Sequence, residues 1–169
     1  MPEQNATFHW PVRVYWEDTD AGGIVFYANY LKFFERARTE WLRSMGIEQH
    51  RLIEQSGGMF VVADTTVRYR SPARLDDQLL VTAQLGESGR ASMTIVQQAF
   101  LRPNAGTNVK ADVFLLSNPE QLEQSTHGQP PEPSTLLCEG SIRIGWVNAQ
   151  TLQPARIPDH VLHALSGQH

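Results

Sequence analysis

Cysteine is almost missing from this sequence. Cys138 stands alone, so no intrachain disulfide and no CxxC redox or metal motif can be written, and a reducing compartment suits the chain. Long apolar runs are missing too. No stretch approaches the roughly 18 apolar residues of a membrane span, and the first nine residues hold no basic region followed by an apolar core. Neither a transmembrane segment nor a secretory leader is expected, and the cytoplasm is the expected location. Positive charge is not in excess: the formal net charge of -4 gives no global field to attract nucleic acid phosphates. The histidines are scattered, and the one close pair, His160 and His163, lacks the carboxylate or thiol set that would complete a metal site. No metal is expected, and the pair reads as surface residues on a short terminal helix. No internal repeat appears. With 169 residues, 41% hydrophobic, the chain can bury one core without staples and is too apolar for disorder, so a single domain over 1–169 is expected.

Trp10, Val12, Val14 and Trp16 fall on alternate positions, the period of a half-buried strand over 8–16, with Pro11 marking an edge or a bulge. Residues 17–23 break that pattern with acids and a Gly-Gly pair and read as a tight connection. Tyr30, Phe33, Phe34, Ala37, Trp41 and Met45 then recur at helical spacing, which predicts one amphipathic helix over 30–45. Asn29 suits its N-cap and Gly46 its stop, while Glu35 with Arg38 and Glu40 with Arg43 read as a solvated face. After a polar stretch over 48–58, strands are predicted at 59–69, 79–85, 92–101 and 136–147. The segment 102–133 interrupts them with Pro-Asn-Ala-Gly, a short apolar piece at 113–116 and a Gln, Glu and Pro-rich loop. A short helix over about 158–165 closes the chain. One long helix between a first strand and a run of antiparallel strands predicts an α+β domain, a curved sheet around its helix, with Phe33, Phe34 and Trp41 supplying much of the packing.

Chemistry concentrates between Val14 and Tyr30. An acid sits at a strand-to-helix junction, Gly22 and Gly23 beside it permit unusual dihedrals and close approach of a ligand, and a helix N-terminus follows within a few residues. Free N–H groups at such a terminus attract developing negative charge. On spacing alone the simpler reading is that Asp18 and Asp20 cap a turn, because Asp and Gly are ordinary turn residues.

The stretch Asp18-Thr19-Asp20-Ala21-Gly22-Gly23, preceded by Trp10-Pro11-Val12-Arg13-Val14-Tyr15, resembles the signature of the 4-hydroxybenzoyl-CoA thioesterase family of hot-dog proteins. Continued into Phe34-Glu35-Arg36-Ala37-Arg38-Thr39-Glu40, the run is similar to the branch called Tol-Pal system-associated acyl-CoA thioesterases. Tyr69, Pro72, Ala73, Arg74, Leu75, Asp76 and Asp77 resemble the segment after that family's second strand. The resemblance implies a hot-dog fold in which the helix runs through the concave sheet, two subunits join sheets side by side, and substrate lies at their interface. A homodimer, or a homotetramer of two dimers, is therefore expected.

At matching positions the family's catalytic carboxylate falls on Asp20, with Asp18 and Glu17 secondary. The implied reaction is hydrolysis of an acyl-CoA thioester, Asp20 acting as base on water or as nucleophile, with no cofactor beyond the coenzyme A carried by the substrate. Backbone N–H groups near Tyr27 would face the carbonyl oxygen, and Gly22 and Gly23 would let the chain approach. Tyr27 stands where many members of the Tol-Pal branch carry histidine and the benzoyl-CoA branch an aromatic, and it reads as a substrate contact or as a packed tyrosine. Arg68, Arg70 and Arg74 read as partners for coenzyme A phosphates or as solvated surface arginines. The competing reading from another class is a non-catalytic module that binds acyl-CoA or acyl carrier protein. Hot-dog dehydratase chemistry, which uses a histidine with an acid across the dimer, is the weakest option, because no His lies between Trp10 and Arg43.

Overall fold

The computed structural model describes residues 7–102 and 135–166. Apart from Arg102, the predicted insertion, including its apolar piece at 113–116, lies outside the described residues. In chain order the elements are β1 (Phe8–Arg13), a 3-10 turn (Trp16–Asp18), α1 (Asn29–Ser44), α2 (Gln49–Ser56), β2 (Gly58–Tyr69), β3 (Gln78–Ser88), β4 (Ser92–Leu101), β5 (Thr135–Asn148) and α3 (Asp159–Ser166). The strands form one sheet in the order β1-β3-β4-β5-β2, every neighbouring pair antiparallel. The fold is α+β, as the sequence predicts, and among the described residues β1 and β2 are the edges of the sheet.

The helical spacing of apolar residues decides where α1 lies. Phe33, Phe34 and Ala37 are fully buried and Trp41 and Leu42 nearly so, against β3, β1 and β4. Each large side chain contributes about 1.5–3 kcal/mol by leaving water. The sheet answers with alternate residues on the same face: Leu79, Val81 and Ala83 of β3, and Met93, Ile95 and Ala99 of β4. Gly140 on β5 makes room for Phe34, since a Cβ there would lie 2.8 Å from the ring. One polar group shares this face. Gln97 is fully buried, donates from Nε2 to the Phe34 and Thr82 carbonyls at 3.0 and 3.1 Å, and accepts from Arg38 Nη1 at 2.8 Å. Both amide hydrogens and the amide oxygen thus have a partner, as burial demands.

Several local expectations are corrected. Arg38 is not on a solvated face: burial lowers its pKa, Glu35 partly opposes this, and Glu35 itself accepts a hydrogen bond from Thr39 Oγ1 at 2.7 Å. Glu40 and Arg43 do pair on the outside. β1 stops at Arg13, because Val14 N–H turns to the Asp77 carbonyl at 3.0 Å and the Asp76 N–H returns to Val14 at 3.1 Å. Trp16 therefore leaves the strand for the 3-10 turn and is 79% exposed, not half-buried. The polar stretch at 48–58 contains α2, whose apolar periodicity is too thin to see, with Leu52 its one buried side chain. Asn29 is the first residue of α1 and not its N-cap, a position held by Ala28. Gly46 does stop the helix: at φ 75° it enters the left-handed region, its N–H donates to Arg43 at 2.9 Å and that of Ile47 to Leu42 at 2.9 Å.

Candidate active site

The two acids that spacing could not separate have opposite environments. Asp18 is 2% exposed, and its Oδ2 accepts the Tyr15 N–H at 2.9 Å, closing the 3-10 turn. Its carbonyl accepts from Phe26 N–H at 2.9 Å and from Asn29 Nδ2 at 2.9 Å, so one oxygen ties the turn to the residues that open α1. Asp18 is a structural acid. Asp20 is exposed at the tip of the connection. Its N–H donates to Ile24 at 2.9 Å, its carbonyl accepts from Gly23 at 3.0 Å, and its Oδ1 accepts from Gly22 N–H at 2.8 Å. Gly23 completes the reversal at φ 75°, a conformation costly for any residue with a Cβ. Among the described residues no donor reaches Oδ2 of Asp20.

The chain after this turn is pinned by short bridges, Thr19 to Val25 and Ile24 to Arg74, with the Val25 N–H on the Ala73 carbonyl at 2.9 Å. Tyr27 is 62% exposed, with ring centroids 4.7 Å from Phe26 and 6.2 Å, edge-on, from Tyr69. At the helix entrance Asn29 N–H donates to Phe26 at 2.8 Å and Leu31 N–H to Ala28 at 3.1 Å. Among the described residues the N–H groups of Tyr27 and Ala28 have no backbone acceptor. An exposed carboxylate and two unspent N–H donors thus hang from the same Asp18 carbonyl, the pair of features needed to attack a carbonyl and to hold the oxyanion that results.

The family model of the thioesterase-like superfamily matches residues 14–165. The chain belongs to the thioesterase-like superfamily. This thioesterase-like chain is 47% identical over 91 residues to the acyl-CoA thioesterase YbgC of Haemophilus influenzae, covering 54% of this chain and 67% of that protein. It is 43% identical over 109 residues to the acyl-CoA thioester hydrolase YbgC of Escherichia coli, covering 64% and 80%. Its fold matches the crystal structure of a 1,4-dihydroxy-2-naphthoyl-CoA thioesterase from Synechocystis with a TM-score of 0.72, at 17% identity, over 96% of this chain and 97% of that one. The hot-dog fold implied by the sequence resemblance is therefore the fold of this member of the superfamily.

The remaining sequence candidates divide. Gly22 and Gly23 lie in the Asp20 turn. Arg70 is committed to Glu139, with Nε at 3.1 Å, whereas Arg68 and Arg74 are exposed, the backbone of Arg74 lying beside Ile24. His160 and His163 are exposed on α3. Local sequence pattern points to no role for Tyr69 at the site. Its hydroxyl donates to the Tyr27 carbonyl at 2.9 Å, and only the tyrosine in the matched 69–77 segment hinted at it.

Proposed function

We propose that this thioesterase hydrolyses an acyl-CoA thioester to the free acid and coenzyme A, with Asp20 supplying or activating the attacking oxygen. The observation that carries the reading is the division of labour between Asp18, buried and spent on the turn, and Asp20, exposed with one oxygen held by Gly22. A carboxylate held through Oδ1 keeps Oδ2 for chemistry. It deprotonates a water, or attacks the thioester carbon itself to give an anhydride that water opens; either route breaks the C–S bond and releases the thiolate of coenzyme A. The N–H groups of Tyr27 and Ala28 receive the carbonyl oxygen as it gains charge, each such donor contributing about 3 kcal/mol in comparable enzymes. Beyond the coenzyme A of the substrate, the reaction needs no cofactor or metal. Names of the YbgC relatives support the acyl-CoA class, and the exposed Tyr27 and Phe26 rings beside the turn suit an apolar or aromatic acyl group.

The reading includes a homodimer, or a homotetramer of two. Among the described residues β2 is a 12-residue edge strand with Val62 56% exposed, an open ladder that a second copy can extend. Tyr69, at the end of that strand, reaches the helix entrance, so the site adjoins this edge. A place in the cytoplasm among Tol-Pal system-associated enzymes, and delivery of acyl groups by acyl carrier protein, complete the proposal.

The test is thiol release from short, long and aromatic acyl-CoAs, with wild type and Asp20→Asn in parallel. Asp20→Asn is expected to lose about a hundred- to ten-thousandfold in kcat. Turnover within a few-fold of wild type removes Asp20 from the chemistry. No thiol release from any substrate by wild type favours a non-catalytic binding module.

A further inference from the structure

We infer that Tyr69 is a positioning residue that aligns the oxyanion donors by holding the Tyr27 to Ala28 peptide; this rests on the proposed role of those N–H groups. A carbonyl just before a helix normally accepts from the N–H four residues on. Here the Leu31 N–H goes to Ala28 at 3.1 Å, and the Tyr27 carbonyl is taken instead by the Tyr69 hydroxyl at 2.9 Å. A trans peptide is planar, with its C=O and N–H pointing in opposite directions. Fixing the Tyr27 oxygen therefore fixes the line along which the Ala28 N–H points. The preceding peptide is held in the same way, its Phe26 oxygen accepting from Asn29 N–H at 2.8 Å, so the two unspent donors are clamped from behind by two separate bonds. Only the Tyr69 bond comes from a side chain and from another element.

The clamp also polarises. A donor on a peptide oxygen draws charge toward it and strengthens the opposite N–H as a donor, the cooperativity expected of hydrogen-bond chains. Tyr69 is itself well placed to hold still. It ends β2 opposite Cys138, the next two N–H groups, of Arg70 and Ser71, both donate to Leu137 at 2.8 and 3.1 Å, and its ring lies 5.7 Å from Tyr30 and 6.2 Å from Tyr27. Its hydroxyl must remain protonated to donate, and burial, with Cys138 and Tyr27 nearby, raises its pKa.

Tyr69→Phe keeps the ring and deletes the hydroxyl. In thiol-release assays kcat is expected to fall about ten- to a hundredfold, the size of effect that a misaligned donor produces, with KM within about twofold. The S-alkyl-CoA thioether matching the substrate has no carbonyl oxygen, so its affinity is expected to stay within about twofold in Tyr69→Phe. A structural role alone would move kcat, thioether affinity and melting temperature together, and that pattern overturns the proposal. So does an unchanged kcat in Tyr69→Phe while Asp20→Asn is inactive. If Asp20→Asn keeps its turnover and Tyr69→Phe still loses kcat alone, the carboxylate assignment fails and the alignment role stands. Absence of thiol release by wild type overturns both.

Discussion

Asn29 Nδ2 donates to the Asp18 carbonyl oxygen at 2.9 Å, and this buried bond fastens the first residue of α1 to the turn that carries the candidate carboxylate. The asparagine is not capping its own helix. It sets the distance between helix entrance and acid, the one dimension on which both halves of the proposed chemistry depend.

Removing that clamp should therefore affect folding and turnover together. Asn29→Ala leaves Phe26 N–H still on the Asp18 oxygen, so the expected cost is about 1 kcal/mol, or a fall in melting temperature of about 2–4 °C. Because the helix entrance is then free to shift against Asp20, kcat is also expected to fall about tenfold or more. Scanning calorimetry beside a thiol-release assay reads both; an unchanged melting temperature would show that the bond carries no load.

The two acids of the turn are expected to separate cleanly. Asp20→Asn keeps an Oδ1 to accept the 2.8 Å bond from Gly22, so its turn and its melting temperature should persist while activity goes. Asp18→Ala deletes the buried acceptor of Tyr15 N–H and should cost about 1–2 kcal/mol of stability. Equal melting temperatures in the two variants would contradict the assignment of Asp18 as the structural acid.

Much of this was legible in the sequence, for identifiable reasons. Tyr30, Phe33, Phe34, Ala37 and Trp41 repeat over about three turns, and a period that long has only one geometric solution, so α1 and its buried face follow directly. α2 was not legible, because a helix that buries Leu52 alone writes no period. Trp16 misled, since alternation cannot show that Asp18 will bend the chain away two residues later. The Tyr69 contact joins residues 42 apart across two elements, and no local pattern encodes that distance.

Three glycines should fail in three different ways on replacement by alanine. At Gly140 the new Cβ meets the buried Phe34 ring at 2.8 Å, and a close-packed core yields only at about 1–3 kcal/mol, read as a lower melting temperature. At Gly23 nothing lies within 4 Å, yet φ is 75°, so the cost is backbone strain of about 1–2 kcal/mol. At Gly22 the Cβ sits 3.1 Å from Asp20 Oδ1 and presses on the carboxylate, so kcat should fall with little change in melting temperature. Retained activity in Gly22→Ala would count against the tethered carboxylate as the working one.

Cys138 gives a prediction in pH. Burial, and secondarily Glu139, push its thiol from an ordinary 9.0 up to about 12, and the residue is fully buried on β5. The folded chain therefore keeps a proton that the unfolded chain gives up above pH 9, so between pH 9 and about 12 the unfolded state binds fewer protons than the native one. Stability must fall as pH rises through that window, by at most about 1.4 kcal/mol per pH unit from this group, and is unaffected by it well below pH 9. Because Cys138 is the only cysteine in the chain, the same burial makes it a single-site probe. At pH 8 a disulfide reagent such as Ellman's should label it at the rate of opening, slowly in native protein and at once in urea, and Cys138→Ala should remove all labelling and flatten the alkaline loss of stability. Rapid labelling of the native protein would show that the β2 and β5 ladder over Tyr69 and Cys138 opens on its own, and the helix entrance held by Tyr69 would then be as mobile as that ladder.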